Sequence, residues 1–326
     1  MARAKENNSI FGILIEGVKI YCSNFLQFTQ YMAFPVLGQL LGLGLIFGLA
    51  GLYTAYLPVL IEKSPAFNSF STIVACVILI TVPGMIIFLK AFWDFLVAYG
   101  ALNSMADSAL NTGRVYDFPA HNSLITQRTF KYVGLWFLIS LLSLIAINPF
   151  FIIIAAVLFI YFILVFQVFT FEDDVSILGC FRRSMEIIKG NFARTFILMC
   201  IIGFFTHFLF VEGFSVLFDF ARITELLTKP FENWIMTNIP LDGFNNWLLN
   251  LNPRAEILTP TKVADLFVYQ IAFFIVTGFT LPLRSICWTL WYKGLNNETP
   301  ATKPARKSNA KKLDKNIIKR AQRKED

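Results

Sequence analysis

The chain has 326 residues, of which 56% are hydrophobic, 15% are charged and 36 are phenylalanine. Its mean hydropathy is positive, far from the balance of a water-soluble domain, which points to a polytopic membrane protein. The net charge of +7 is local: residues 293–326 hold 11 Lys/Arg and 4 Asp/Glu, and the rest of the chain is neutral in sum.

Residues 9–21 read as an amphipathic helix, with Ile10, Ile13, Leu14, Gly17 and Tyr21 on one side and Glu16 and Lys19 opposing them. The stretch before Glu16 lacks the long apolar core of a cleaved signal peptide. Apolar runs then predict membrane spans at about 31–61 and 70–102, each long enough for a bilayer that needs about 20 residues. The first carries two small-xxx-small pairs, Gly38/Gly42 and Gly44/Gly48, read as packing sites within the chain, with a homo-oligomer as the alternative. The second carries Pro83, which predicts a kink, and Lys90 and Asp94, spaced to pair across one helical turn near the exit.

Residues 103–131 read as a polar surface connection containing short helices. Spans at about 132–147 and 151–171 follow, joined by the tight Asn148-Pro149 turn. A charged amphipathic segment, FEDDVSILGCFRRSMEIIKGNFARTF from Phe171 to Phe196, comes next. From Val175 onward, Ile177, Leu178, Phe181, Met185 and Ile188 share one face, and Arg182, Arg183, Glu186 and Lys189 the opposite one. Asp173 and Asp174 are assigned to the helix N-terminus and Gly190-Asn191 to a left-handed stop; the helix is expected to lie flat on the bilayer surface. The fifth span, 195–218, contains His207 and Glu212, and a loop at 219–262 carries Trp234 and Trp247 and is expected to hold surface helices. The sixth span, 263–292, passes through Pro282 to Arg284, which reads as an interfacial anchor.

The fold class that follows is all-α and polytopic: six transmembrane helices as three hairpins, each preceded by a surface segment or amphipathic helix. No span is expected to be broken at mid-depth. On one side lie three Lys/Arg in residues 1–30, three in 103–131, four in 172–194 and the eleven of the tail, against five on the other side. The positive-inside rule then places both termini in the cytoplasm, in an inner or plasma membrane.

IEGVKIYCSNFLQF and RRSMEIIKGNFARTF both end an amphipathic helix in Asn-Phe, at Asn24-Phe25 and Asn191-Phe192, and Arg128-Thr129-Phe130 echoes Arg194-Thr195-Phe196. An internal repeat of three units is expected.

Glu172, Arg183-Ser184, Lys189-Gly190-Asn191, Arg194 and the closing Trp288-Thr289-Leu290-Trp291-Tyr292 resemble the signature of a bacterial integral-membrane family. That family includes the membrane region of some glycerophosphoryl diester phosphodiesterases and stand-alone relatives of poorly defined function. Lys293-Gly294-Leu295 stands where an Asp-Leu-Arg-like sequence often follows the terminal tyrosine. The soluble barrel domain of about 200 residues or more that such a phosphodiesterase needs has no counterpart here, so its activity is not carried over.

Five scattered cysteines and the two histidines, His121 and His207, offer neither a disulfide framework nor a metal site, and no cofactor is implied. No nucleophile, base and orienting group stand at useful spacing, so no catalytic residue is assigned. Arg182, Arg183, Lys189 and Arg194 are the candidates for contact with lipid phosphate, and Lys90, Asp94, His207 and Arg284 are the polar candidates inside the membrane. The basic tail, residues 299–326, is read as disordered in isolation, with anionic lipid as its partner and an acidic protein or RNA as alternatives. The expected role is non-enzymatic, in membrane organisation or envelope and lipid homeostasis; the alternative is a transporter or lipid-translocating protein.

Overall fold

A computed structural model describes residues 9–238, 241–254 and 256–298; the basic tail lies outside them. Among the described residues the chain is helical, without a strand, and six helices are long and apolar enough to cross a membrane. They form three hairpins, each entered through a shorter helix. The helices are α1 (Ile10–Ser23), α2 (Phe25–Lys63), α3 (Phe70–Thr112), α4 (Phe118–Thr126), α5 (Thr129–Ile147), α6 (Ile152–Phe162), α7 (Val165–Phe171), α8 (Ile177–Ile188), α9 (Phe192–Gly203), α10 (Phe210–Phe220), α11 (Ile223–Asn238), α12 (Leu241–Leu251) and α13 (Pro260–Glu298).

Among the described residues the contacts divide the chain into two compact units, one of residues 9–32, 95–205 and 279–298, the other drawn from 33–94 and 206–278.

In the first unit, α1 turns its predicted face inward. Ile13 and Gly17 are buried, and a Cβ on Gly17 would stand 2.7 Å from Cys287 Sγ of α13, so a larger residue here would require that side chain to shift. Tyr21 donates to the Phe279 carbonyl at 2.8 Å. Its phenol is pushed up to about 12, by burial first and then by Cys22.

The C-terminal part of α3 corrects the reading of 103–131. It is buried helix as far as Ala109, because Ala98, Ala101, Leu102, Met105, Ala106 and Ala109 recur at helical spacing. The polar residues between them find partners in the fold: Gln167 Nε2 donates to Asn103 Oδ1 at 3.2 Å, and Ser104 Oγ lies 2.9 Å from His121 Nδ1. Five residues, 113–117, are the actual link to α4.

Two spans are interrupted, against expectation. Between α6 and α7 the helix breaks at Ile163-Leu164, and the Tyr161 carbonyl accepts from Ser184 Oγ of α8 at 2.6 Å. Between α9 and α10 lies a π-helix, Phe204–Leu209. Neither break contains proline; Gly203 directly precedes the second.

In the second unit the glycines of α2 divide by role. A Cβ on Gly38 would stand 2.8 Å from Ala91 Cβ, and one on Gly42 2.6 Å from Phe88 N, which is how α2 and α3 approach so closely. Around Gly44 and Gly48 nothing lies within 4 Å of such an atom. Helix α3 runs unbroken through Pro83.

Candidate functional site

The charged segment before the fifth span becomes α8, but with a different start. Ser176 and not an aspartate is its N-cap, accepting from Gly179 N at 3.1 Å. Asp173 instead pairs with Arg128 at 3.3 Å, whose guanidinium also lies 4.5 Å from the centre of the Phe169 ring. At the other end Gly190 takes φ +91°, the left-handed stop that its sequence implies.

The buried face of α8 is rotated from the expected one. Cys180, Phe181, Ser184, Ile187 and Ile188 are buried, whereas Leu178 is 70% exposed and Met185 37%. At about 100° per residue, Leu178, Arg182, Met185 and Lys189 fall on one outward sector, and Arg183 falls on the opposite flank. Arg182 is the more open of the two arginines, its side chain 82% accessible and 3.1 Å from Glu186. Lys189 is exposed beside it.

Arg183 is held by the fold. Its Nε donates to Glu172 at 3.1 Å, Nη2 donates to Asn296 Oδ1 at 2.7 Å, and Nη1 lies 3.6 Å from Glu186. The same Glu172 oxygen accepts from Tyr292 OH at 2.9 Å, and Phe171 stacks on the Tyr292 ring with centroids 5.4 Å apart. Arg194 is likewise engaged: it donates to Asn191 at 3.1 Å and lies 5.1 Å from the Trp291 ring, while Trp291 Nε1 donates to Thr195 at 3.0 Å. Lys293 pairs with Asp107. Glu172, Arg183, Arg194, Trp291 and Tyr292 thus hold together the end of α7, α8, the start of α9 and the last turns of α13 as a clasp.

The residues proposed inside the membrane do not converge on one site. Lys90 and Asp94 pair as their spacing implies, at 2.5 Å, with the lysine side chain 67% accessible. His207 lies in the π-helix, exposed, its ring stacked 5.9 Å from Phe273. Glu212 accepts from Tyr269 OH at 3.1 Å. Arg284, read as an interfacial anchor, is half-buried, with Nε sealed from solvent and Tyr99 within electrostatic reach. Tyr99 in turn packs edge-on against Trp136 and Phe166.

Cys180 is buried, and burial pushes its thiol up, against the pull of Lys131 and Arg128. Cys22 and Cys200 are the exposed thiols.

A correspondence that the sequence reading missed links α1 and α8. Ser9 caps α1 by accepting from Gly12 N at 2.9 Å, as Ser176 does for α8. At one constant offset Ser9-Ile10-Phe11-Gly12 falls on Ser176-Ile177-Leu178-Gly179, and buried Gly17 falls on buried Ser184. Asn24, at φ −122° and ψ 24°, falls on Asn191, at φ −120° and ψ 18°. Arg128, at φ −120° and ψ 33°, has the same backbone at the entrance to α5. The Ser-Ile-x-Gly signal stood in the sequence beside the Asn-Phe pairs.

Comparison with protein-family models, curated proteins and solved structures gives no match.

Proposed function

We propose that this is a non-enzymatic integral membrane protein of membrane organisation or envelope and lipid homeostasis, which meets anionic lipid through the outward sector of α8. The observation that carries the proposal is the pairing on that sector of exposed Leu178 and Met185 with exposed Arg182 and Lys189. Apolar side chains beside long basic ones suit the boundary between acyl chains and headgroup phosphates. Helix α1 supports the same placement, since Phe11, Ile15 and Val18 are exposed on its corresponding sector.

The charge count places both termini and both helices on the cytoplasmic side of an inner or plasma membrane. The shared cap, small buried residue and junction conformation support an internal duplication, with α4 and its hairpin as a shorter third unit. The clasp around Glu172 gives the family resemblance a structural role in this reading.

The test uses the detergent-purified full chain and its retention of phosphatidylglycerol. At about 1 kcal/mol per basic residue, replacing Arg182 and Lys189 by Gln is expected to weaken binding by roughly thirtyfold, with the tail unchanged in both proteins. Equal retention would remove the role.

A second reading, a transporter or lipid-translocating protein, is favoured by one feature, the π-helix that carries His207, since such irregular turns often accompany functional sites. A proteoliposome flux abolished by His207→Ala would place it first.

A further inference from the structure

A cavity of about 330 Å³ opens within the second unit, floored by Gly44 and Gly48 of α2 and walled by Phe47, Phe231, Trp234 and Phe267. The rings brace one another: Phe47 meets Phe267 at 5.4 Å and Trp234 at 6.1 Å, both edge-on, and Phe231 lies 4.6 Å from Phe267. No ionisable side chain lines it.

We propose that this cavity holds one acyl chain of a membrane phospholipid. Its floor and Phe267 belong to α2 and α13, two of the helices long and apolar enough to cross a membrane, so an occupant at that end meets an apolar setting. Its Phe231 and Trp234 end belongs to α11, whose opposite face carries exposed Glu225 and Lys229, paired at 2.6 Å, and so marks the headgroup level. An occupant that is apolar along the cavity and polar beyond its α11 end suits this setting. The volume lies at the low end of the ~300–1,000 Å³ typical of ligand sites. Gly44 and Gly48 thereby differ from Gly38 and Gly42: the latter admit a neighbouring helix, the former leave room for a chain.

This inference stands apart from the anionic contact on α8, and its test uses a neutral lipid to keep the two separate. The full chain is reconstituted in phosphatidylcholine with dibrominated acyl chains, which quench indole on contact, and the emission lost in Trp234→Phe defines the Trp234 signal. In the otherwise native chain that signal is expected to fall several-fold against unbrominated lipid. In Gly44→Leu/Gly48→Leu, whose new side chains enter open space, most of it is retained. Native mass measurement of the same proteins is expected to find one firmly held phospholipid lost in the double variant. Should the double variant fold poorly, Gly48→Val provides the milder filling for both measurements. Equal quenching with and without the filling, equal retained lipid, or a dimer that the filling converts to monomer would each overturn the proposal.

Discussion

His121 makes the stability of the first unit depend on pH. The ring is fully buried beneath α3, with Nδ1 2.9 Å from Ser104 Oγ. Burial pushes the imidazole down to about 4, outweighing the Tyr116 backbone and the Asp117 carboxylate, which favour the charged form. An unfolded histidine titrates near 6.5. Between pH 6.5 and 4 the unfolded chain therefore takes up a proton that the folded chain refuses, so stability falls with falling pH across that window. A gap of roughly 2.5 in pKa, at 1.36 kcal/mol for each, gives a loss on the order of 3 kcal/mol from pH 7 to pH 4. Thermal unfolding of the detergent-purified chain measures it, with His121→Gln as the reference that cannot titrate here. All other groups change alike in both proteins, so the gap between their midpoints is the readout. The wild type is expected to lose its advantage, or deepen its deficit, as pH drops toward 4. Midpoints that stay a constant distance apart over the whole range would refute the reasoning.

The clasp yields a second expectation: Glu172→Ala leaves Arg183 half-buried without its main partner and costs about 1–3 kcal/mol of stability. Arg183→Ala costs a similar amount, and the double variant is expected to lose clearly less than the sum of the two, read as unfolding midpoints in a double-mutant cycle; strict additivity would mean that the two do not act together. Topology is read from thiols: an impermeant maleimide added to intact cells leaves Cys22 unlabelled and labels it in inverted vesicles, while Cys180 stays silent in both until the protein is denatured. Labelling of Cys22 from outside would reverse the orientation.

Much of the fold was legible because lipid-facing helices announce themselves by length and apolar content, and Gly190 by its place after an amphipathic period. The failures share a cause, which is that tertiary partners decide what local pattern leaves open. Asn103, Ser104 and Ser108 look like a surface connection until their bonds with Gln167, His121 and the Arg114 carbonyl are seen. Arg182 and Arg183 are adjacent and chemically identical, yet about 100° of helical rotation sends one outward and the other to Glu172 and Asn296. The breaks at Ile163-Leu164 and Phe204–Leu209 carry no breaker residue of their own. The caps Ser9 and Ser176 differ in kind, since their Ser-Ile-x-Gly pattern was readable and the acidic pair at 173–174 drew attention from it.

The clasp changes what a surface helix means in this chain. An isolated amphipathic helix chooses its own depth and rotation on a bilayer, so its basic residues meet whatever headgroups happen to lie there. Helices α1 and α8 have no such freedom. Gly17 sits against Cys287, Ser184 occupies the Tyr161 carbonyl that the broken span releases, and Arg183 ties α8 to Glu172 and Asn296. Each contact lies on the inward side, and together they fix the outward side. Arg182 and Lys189 are thus presented at a set angle, on one sector with Leu178 and Met185, and that angle depends on an arginine tied inward to Glu172 and Asn296.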